Sequence, residues 1–120
     1  MSKTLSIIIP TFNESENVEK CYNEVKKELL KISKYKHEIL FLDNRSEDDT
    51  FQKIKLICAK DKNVKSYRYA NNFGIQKSIL FGYSIAKGDA VIQIDCDLQD
   101  SPELISKFID KWEKGYDVVY

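Results

Sequence analysis

Short apolar runs and helical stripes alternate along this chain from its first residues to its last. Ser6-Ile7-Ile8-Ile9-Pro10 is a continuous run of strand length, the pattern of a strand buried on both faces, and Pro10 is expected to stop it. Over residues 16–32 the period changes. Val18, Cys21, Tyr22, Val25, Leu29 and Ile32 recur at helical spacing, with Ser15 placed to cap the helix. Residues 38–43 read as a second buried strand. A polar loop, Asn44-Arg45-Ser46-Glu47-Asp48, then leads to a helix over 49–59 with Phe51, Ile54, Ile57 and Cys58 inward. A third strand is predicted over 64–69, a turn at Asn71-Asn72-Phe73-Gly74 and a helix over 75–86. Lys87-Gly88-Asp89 ends that helix, with Gly88 suited to a left-handed cap. Strand four covers 90–94. Ser101, as N-cap, and Pro102, in the first turn, open a last helix to about residue 114. Gly115 breaks it, and 117–120 begin another strand.

Strict alternation of strand and helix predicts one α/β domain over residues 1–120, Rossmann-like, with a mainly parallel sheet and helices on both faces. Right-handed crossovers are expected throughout. Ligands of such sheets bind beyond the carboxyl ends of the strands. Each polar cluster here follows a predicted strand: Thr11-Phe12-Asn13-Glu14, Asp43-Asn44, Asn71-Asn72, and Asp95 through Gln99. That convergence points to one site at one edge.

The last cluster carries the most chemistry. If strand four continues as extended chain, Asp95, Asp97 and Gln99 project to one side and Cys96 and Leu98 turn into packing. Two carboxylates and an amide oxygen suit Mg²⁺ or Mn²⁺, ions that keep positions open for phosphate oxygens. The expected ligand is therefore a metal-bound nucleotide diphosphate. An Asp-x-Asp triplet alone is weak, because it arises by chance about once per domain. No Gly-x-Gly-x-x-Gly follows strand one and no Walker loop occurs, which disfavours a dinucleotide-binding protein and a P-loop NTPase. Pro10-Thr11-Phe12-Asn13-Glu14 either wraps a nucleoside or is an ordinary strand-to-helix turn. Asp43 either accepts a hydrogen bond from a base imide N–H or is a loop or helix-cap aspartate. Asn71, Asn72 and Lys77 are within sequence reach of a pyrophosphate or sugar.

Composition narrows the remaining classes. With 42% hydrophobic and 32% charged residues in 120, the chain reads as a soluble domain with a single core. Its 19 basic and 19 acidic residues cancel, so no global field steers it to nucleic acid. Cys21, Cys58 and Cys96 lie far apart in apolar surroundings, as buried thiols of a reducing compartment do. His37 is the only histidine and no Cys-x-x-Cys occurs, which disfavours zinc and histidine-dependent triads. Neither a signal peptide nor a membrane span is read, so a cytoplasmic location is expected.

With these clusters assembled, the chain resembles the inverting glycosyltransferases of family 2, which have the GT-A fold. The resemblance rests on Ile7-Ile8-Ile9-Pro10-Thr11-Phe12-Asn13-Glu14, on residues 42–50, on Asn72-Phe73-Gly74 with Gly82, Ala86, Gly88 and Asp89, and on residues 95–105. The last stretch is most similar to the branch of dolichol-phosphate mannose synthase and bacterial polyprenyl-phosphate glucosyltransferases. The resemblance implies that Asp95, Asp97 and Gln99 hold the metal. It implies nucleotide contacts from Pro10, Thr11, Phe12, Glu14, Asp43, Asn72, Asp95 and Cys96. The donor would be a UDP- or GDP-sugar and the acceptor a polyprenyl phosphate or glycan of cell-envelope synthesis, handled at the inner face of the membrane. Two departures stand out: Asn44-Arg45 where the family usually has Asp-Gly, and Asn71 where the branch usually has arginine. Family members continue well beyond 120 residues, so the acceptor side and any general base are expected past Tyr120. The chain then reads as the donor-binding half, impaired alone, with apolar surface near residues 117–120 favouring a homodimer. Two other readings are kept. One is a non-catalytic nucleotide-binding or interaction module with the same fold. The other is a sugar nucleotidyltransferase, disfavoured because its glycine-rich basic loop is absent.

Overall fold

A computed structural model describes residues 3–99 and 101–115. Four parallel strands, β1 (Thr4–Thr11), β2 (Lys36–Asp43), β3 (Val64–Arg68) and β4 (Ala90–Gln93), form one sheet in the order β3-β2-β1-β4. Between and after them run α1 (Val18–Lys31), α2 (Thr50–Lys60), α3 (Ile75–Ile85) and α4 (Leu104–Glu113). The alternating α/β architecture expected from the sequence is present. The strand predicted over 117–120, and the dimer surface placed there, lie outside the described residues.

Two cores of unequal size flank the sheet, because successive strand residues face opposite ways. Leu5, Ile7 and Ile9 of β1 point to one face, where α1, α2 and α4 bring Val25, Leu29, Ile54, Ile105 and Ile109. Ile8, Leu40 and Leu42 point to the other, where Ile79 and Ile85 of α3 meet them. Helix α3 lies so close that a Cβ at Gly82 would come within 2.6 Å of Leu42 Cδ1. Tyr35 OH donates to Glu113 and its ring packs on Trp112 at 5.9 Å, which fastens α4 beside the α1–β2 connection.

Several expected boundaries are corrected. Pro10 does not stop β1: it sits inside the strand, in register with Leu42. Alternation turns its nitrogen toward β4, past the last bond there, Ile94 N to Ile8 O at 3.0 Å, so no ladder donor is missed. Ser15 does not cap α1, which begins after Asn17; Ser15 Oγ donates to Asp49 and joins two loops instead. Ser101 is likewise not the cap of α4, which begins after Glu103. Gly88 is not left-handed, and α3 has already ended at Ile85. Its requirement is space. Gly88 N donates to Ser6 Oγ at 2.8 Å, and an added Cβ would lie 2.5 Å from that oxygen. Ser6 Oγ in turn donates to the buried Glu38 carboxylate, which also accepts Lys87 N–H.

Candidate nucleotide site

All four strands are parallel, so the segments after Thr11, Asp43, Arg68 and Gln93 emerge at one edge. The order β3-β2-β1-β4 reverses direction at β1, where one connection leads toward β2 and β4 arrives from the other side. Such a switch point opens a crevice between loops that diverge to opposite faces. A cleft of about 320 Å³ lies there, lined by Pro10, Thr11, Phe12, Glu14, Asn44, Ile75, Asp95, Cys96 and Asp97.

Its acidic wall is made by a turn and not by strand alternation, which corrects the geometry expected from the sequence. β4 ends at Gln93, Leu98 N donates to Asp95 O at 3.1 Å, and Leu98 is left-handed at φ 57°. This turn still brings Asp95 and Asp97 to the cleft. Asp95 Oδ1 accepts Gln93 Nε2 at 2.9 Å, and Asp97 Oδ1 accepts Gln99 N at 3.3 Å. Cys96 and Leu98 turn into the large core as expected. Cys96 lies against the Cys21 thiol, and that contact, then burial, then the nearby Glu14 charge push its own thiol far up. It stays neutral and inert.

Glu14 completes the acidic side. Burial and then the Asp97 charge raise its carboxyl above the usual range, with Asp95 adding to the effect and hydrogen bonds to Asn17 and Cys96 opposing it. Among the described residues no lysine or arginine lines the cleft. Among the described residues no three His, Cys, Asp or Glu side chains form a ready metal cage. Asp95 and Asp97 supply two hard oxygens, the number Mg²⁺ takes when substrate phosphates and water complete its shell. The residues fit such an ion, and the unbalanced negative charge around Glu14 is what a cation would relieve.

Asp43 is placed differently from the rest. It is fully buried and its carboxylate is engaged within the protein. Thr11 Oγ1, Ser46 N and Ser46 Oγ donate to it, and Arg68 lies 3.7 Å away. It joins the loops after β1 and β2 and does not line the cleft. Asn72 is exposed and its Oδ1 accepts Gly74 N at 2.9 Å, shaping the turn into α3. Gln99, Asn71 and Lys77 are exposed and outside the lining. The sequence reading missed Ile75, an apolar wall from the first turn of α3, and gave Asn44 no contact of its own. Their only early signal is position, one at a helix start and one just past a strand end.

The family model described as Glycosyl transferase family 2 matches residues 6–120. "Putative glycosyltransferase CsbB" of Bacillus subtilis is 43% identical over 115 residues, covering 96% of this chain and 35% of that protein. "Bactoprenol glucosyl transferase" of Shigella phage SfV is 37% identical, covering 96% and 37%. The chain thus spans about a third of these relatives. Among solved structures, S. aureus TarS 1-349 in complex with UDP superposes with a TM-score of 0.69 at 23% identity, over 95% of this chain and 32% of that one. The mannosyltransferase PcManGT from Pyrobaculum calidifontis, in complex with GDP-Man and Mn²⁺, gives 0.70 at 18% identity, over 81% and 28%.

Proposed function

The chain belongs to glycosyl transferase family 2, and from that premise we propose that it forms the donor-binding half of an inverting glycosyltransferase. The donor is a UDP- or GDP-sugar. One observation carries the reading: a cleft at the sheet's switch point has Glu14, Asp95 and Asp97 on one side and Phe12 and Ile75 as apolar surface. Asp95 and Asp97 hold a divalent ion with the donor's phosphate oxygens, and Gln99 braces the pair through its N–H on Asp97. Bound there, Mg²⁺ or Mn²⁺ supplies Lewis-acid stabilisation of the leaving diphosphate. Pro10, Thr11, Phe12 and Glu14 receive the nucleoside. Asp43 serves this contact indirectly, by holding the two loops together.

In the whole protein the acceptor is a polyprenyl phosphate at the membrane surface, a reading supported by relatives named bactoprenol glucosyl transferase. A phosphate anion needs no general base to attack, so this reading requires none among the described residues. No helix among the described residues is long and apolar enough to cross a membrane.

Titration calorimetry with UDP-glucose and GDP-mannose, with and without Mn²⁺, tests the donor reading. Metal-dependent binding of at least one donor, abolished by Asp97→Ala, is expected. A folded protein that binds neither donor under any metal condition would sink the proposal and leave the interaction-module reading.

A further inference from the structure

Gln93 carries the only polar side chain in the run Ala90-Val91-Ile92-Gln93-Ile94. It is the last residue of β4, in register with Ile8 of β1. Alternation puts it on the same face as Val91, which packs against the smaller core. The pattern calls for an apolar residue there, and a half-buried amide is costly unless its hydrogens are used. They are used on the acidic wall: Gln93 Nε2 donates to Asp95 Oδ1 at 2.9 Å. An ionised carboxylate only accepts, so the NH₂ end of the amide is the end that faces it.

The two aspartates of that wall are therefore held by different means. Asp97 is exposed, and its Oδ1 accepts the Gln99 N–H at 3.3 Å, a bond within its own turn that any residue but proline could supply. Asp95 lies beyond the end of β4 but is tied back to it, and the strand is fixed at that point by Ile94 N on Ile8 O. Asp95 also lines two spaces, the nucleotide cleft and a smaller cavity of about 110 Å³ beside α4 that Gln93 lines with it. Without Gln93 the carboxylate would have room to turn between them. With Oδ1 tied to the strand, it cannot present both oxygens to an ion in the cleft.

Resting on the donor reading above, we propose that Gln93 is a positioning residue for the metal, holding Asp95 to coordination through one oxygen so that the site takes Mg²⁺ in preference to Ca²⁺. Mg²⁺ demands a compact octahedral shell, with few carboxylates and retained water. Ca²⁺ takes about six to eight longer bonds and accommodates a carboxylate that offers both oxygens. A tethered Oδ1 suits the first ion and withholds a bond from the second.

The test is calorimetry of UDP and GDP in Mg²⁺, in Ca²⁺ and in EDTA, on the wild type and on Gln93→Met. Methionine keeps the side-chain length and removes both donor hydrogens. The wild type is expected to bind at least one nucleotide about tenfold more tightly in Mg²⁺ than in Ca²⁺. The variant should lose about tenfold in Mg²⁺, less than about threefold in Ca²⁺ and nothing in EDTA, so that the preference for Mg²⁺ falls away. A merely structural residue would weaken binding in both ions alike. A folded variant with the wild-type Mg²⁺-to-Ca²⁺ ratio, or a wild type that does not distinguish the ions, overturns the inference while the donor reading stands. A folded wild type that binds neither nucleotide in either ion overturns both. Should Gln93→Met lose its thermal unfolding transition, Gln93→Ser, too short to span to Asp95, replaces it. The same fall in the ratio is expected, and an unchanged ratio overturns the inference.

Discussion

At the amino end of the sheet one carboxylate is held below its ordinary range, and at the carboxyl end another is pushed above it. Asp61, in the turn after α2, is partly buried, which would raise it. Hydrogen bonds from Tyr22 OH and Lys26, the Asn63 N–H and the Lys26 charge outweigh that and bring it down to about 2. Tyr22 OH reaches it at 2.7 Å and Lys26 Nζ at 2.9 Å, while Lys26 also meets His37 Nε2 at 2.7 Å. The His37 ring is lowered by burial and then by the Lys26 charge, so it stays neutral beside that ammonium. Burial likewise leads in raising Tyr22 to about 12, with Asp61 adding to it. Glu14 has the opposite surroundings, with two aspartates and no cation in the lining of its cleft. Backbone conformation divides the same way. All three non-glycine residues described with positive φ, Asn13, Arg45 and Leu98, follow β1, β2 and β4 at the carboxyl end. One end sets its carboxylate against a cation and holds the fold; the other gathers Glu14, Asp95 and Asp97 among loops with left-handed residues, an arrangement suited to a cation.

The comparison breaks if substitutions at either end affect the wrong property. Asp97→Ala has the largest expected effect: metal-dependent nucleotide binding should fall at least about 100-fold in calorimetry, with the unfolding midpoint unchanged or higher because like charge is removed. A large loss of stability instead would make Asp97 part of the scaffold. Gly88→Ala at the amino end should do the reverse. Its Cβ would sit 2.5 Å from Ser6 Oγ, 2.7 Å from Ser6 N and 2.9 Å from Ala90 O, two of them backbone atoms that cannot yield without moving β1 or β4. A cost of about 3 kcal/mol in denaturant unfolding is expected, with donor affinity retained once folded.

Both expectations depend on features that were unequally legible in the sequence. The β-branched run Ile7-Ile8-Ile9 and the stripe through Val18, Cys21 and Val25 are local signals, and they marked β1 and α1 correctly. Element ends were misread where a distant neighbour decides. Pro10 is tolerated because pairing with β4 stops at a particular residue, and Gly88 is demanded by a serine 82 positions away. Asp95 and Asp97 are singled out by spacing and both line the cleft, although a turn and not an extended strand presents them. Asp43 and Asn44 are adjacent, so spacing could not tell which side chain is enclosed by Thr11 and Ser46 and which meets the cleft.

Asp61→Asn sharpens the comparison at the amino end. The amide can still accept from Tyr22 but loses the charge on Lys26, at a cost of about 1–2 kcal/mol in urea unfolding at neutral pH. The sign in acid follows from the lowered carboxyl. The folded state binds its proton less readily than the unfolded chain, so this stabilisation is complete above about pH 4 and lost as pH falls toward about 2. His37 acts in the same direction at higher pH: its folded ring resists protonation, so falling below its ordinary range near pH 6.5 also costs stability. Between pH 4 and 2 the variant should therefore converge on the wild type. Parallel pH curves would show that the Asp61 charge contributes nothing.

Arg45→Gly has the smallest expected effect and the most telling sign. Arg45 is exposed and left-handed at φ 66°, a conformation that costs an ordinary residue about 1–2 kcal/mol. Glycine removes that strain but returns about 0.5–1 kcal/mol through the greater freedom of the unfolded chain. The balance is a gain of about 0.5 kcal/mol in denaturant unfolding, the opposite of introducing a side chain at Gly88. Adding a glycine at the carboxyl end should stabilise, and removing one at the amino end should destabilise. If Arg45→Gly instead lowers stability, the arginine side chain must contribute more than its backbone loses. The loop after β2 would then belong with the self-satisfied corner around Asp61 and not with the strained edge that frames the cleft.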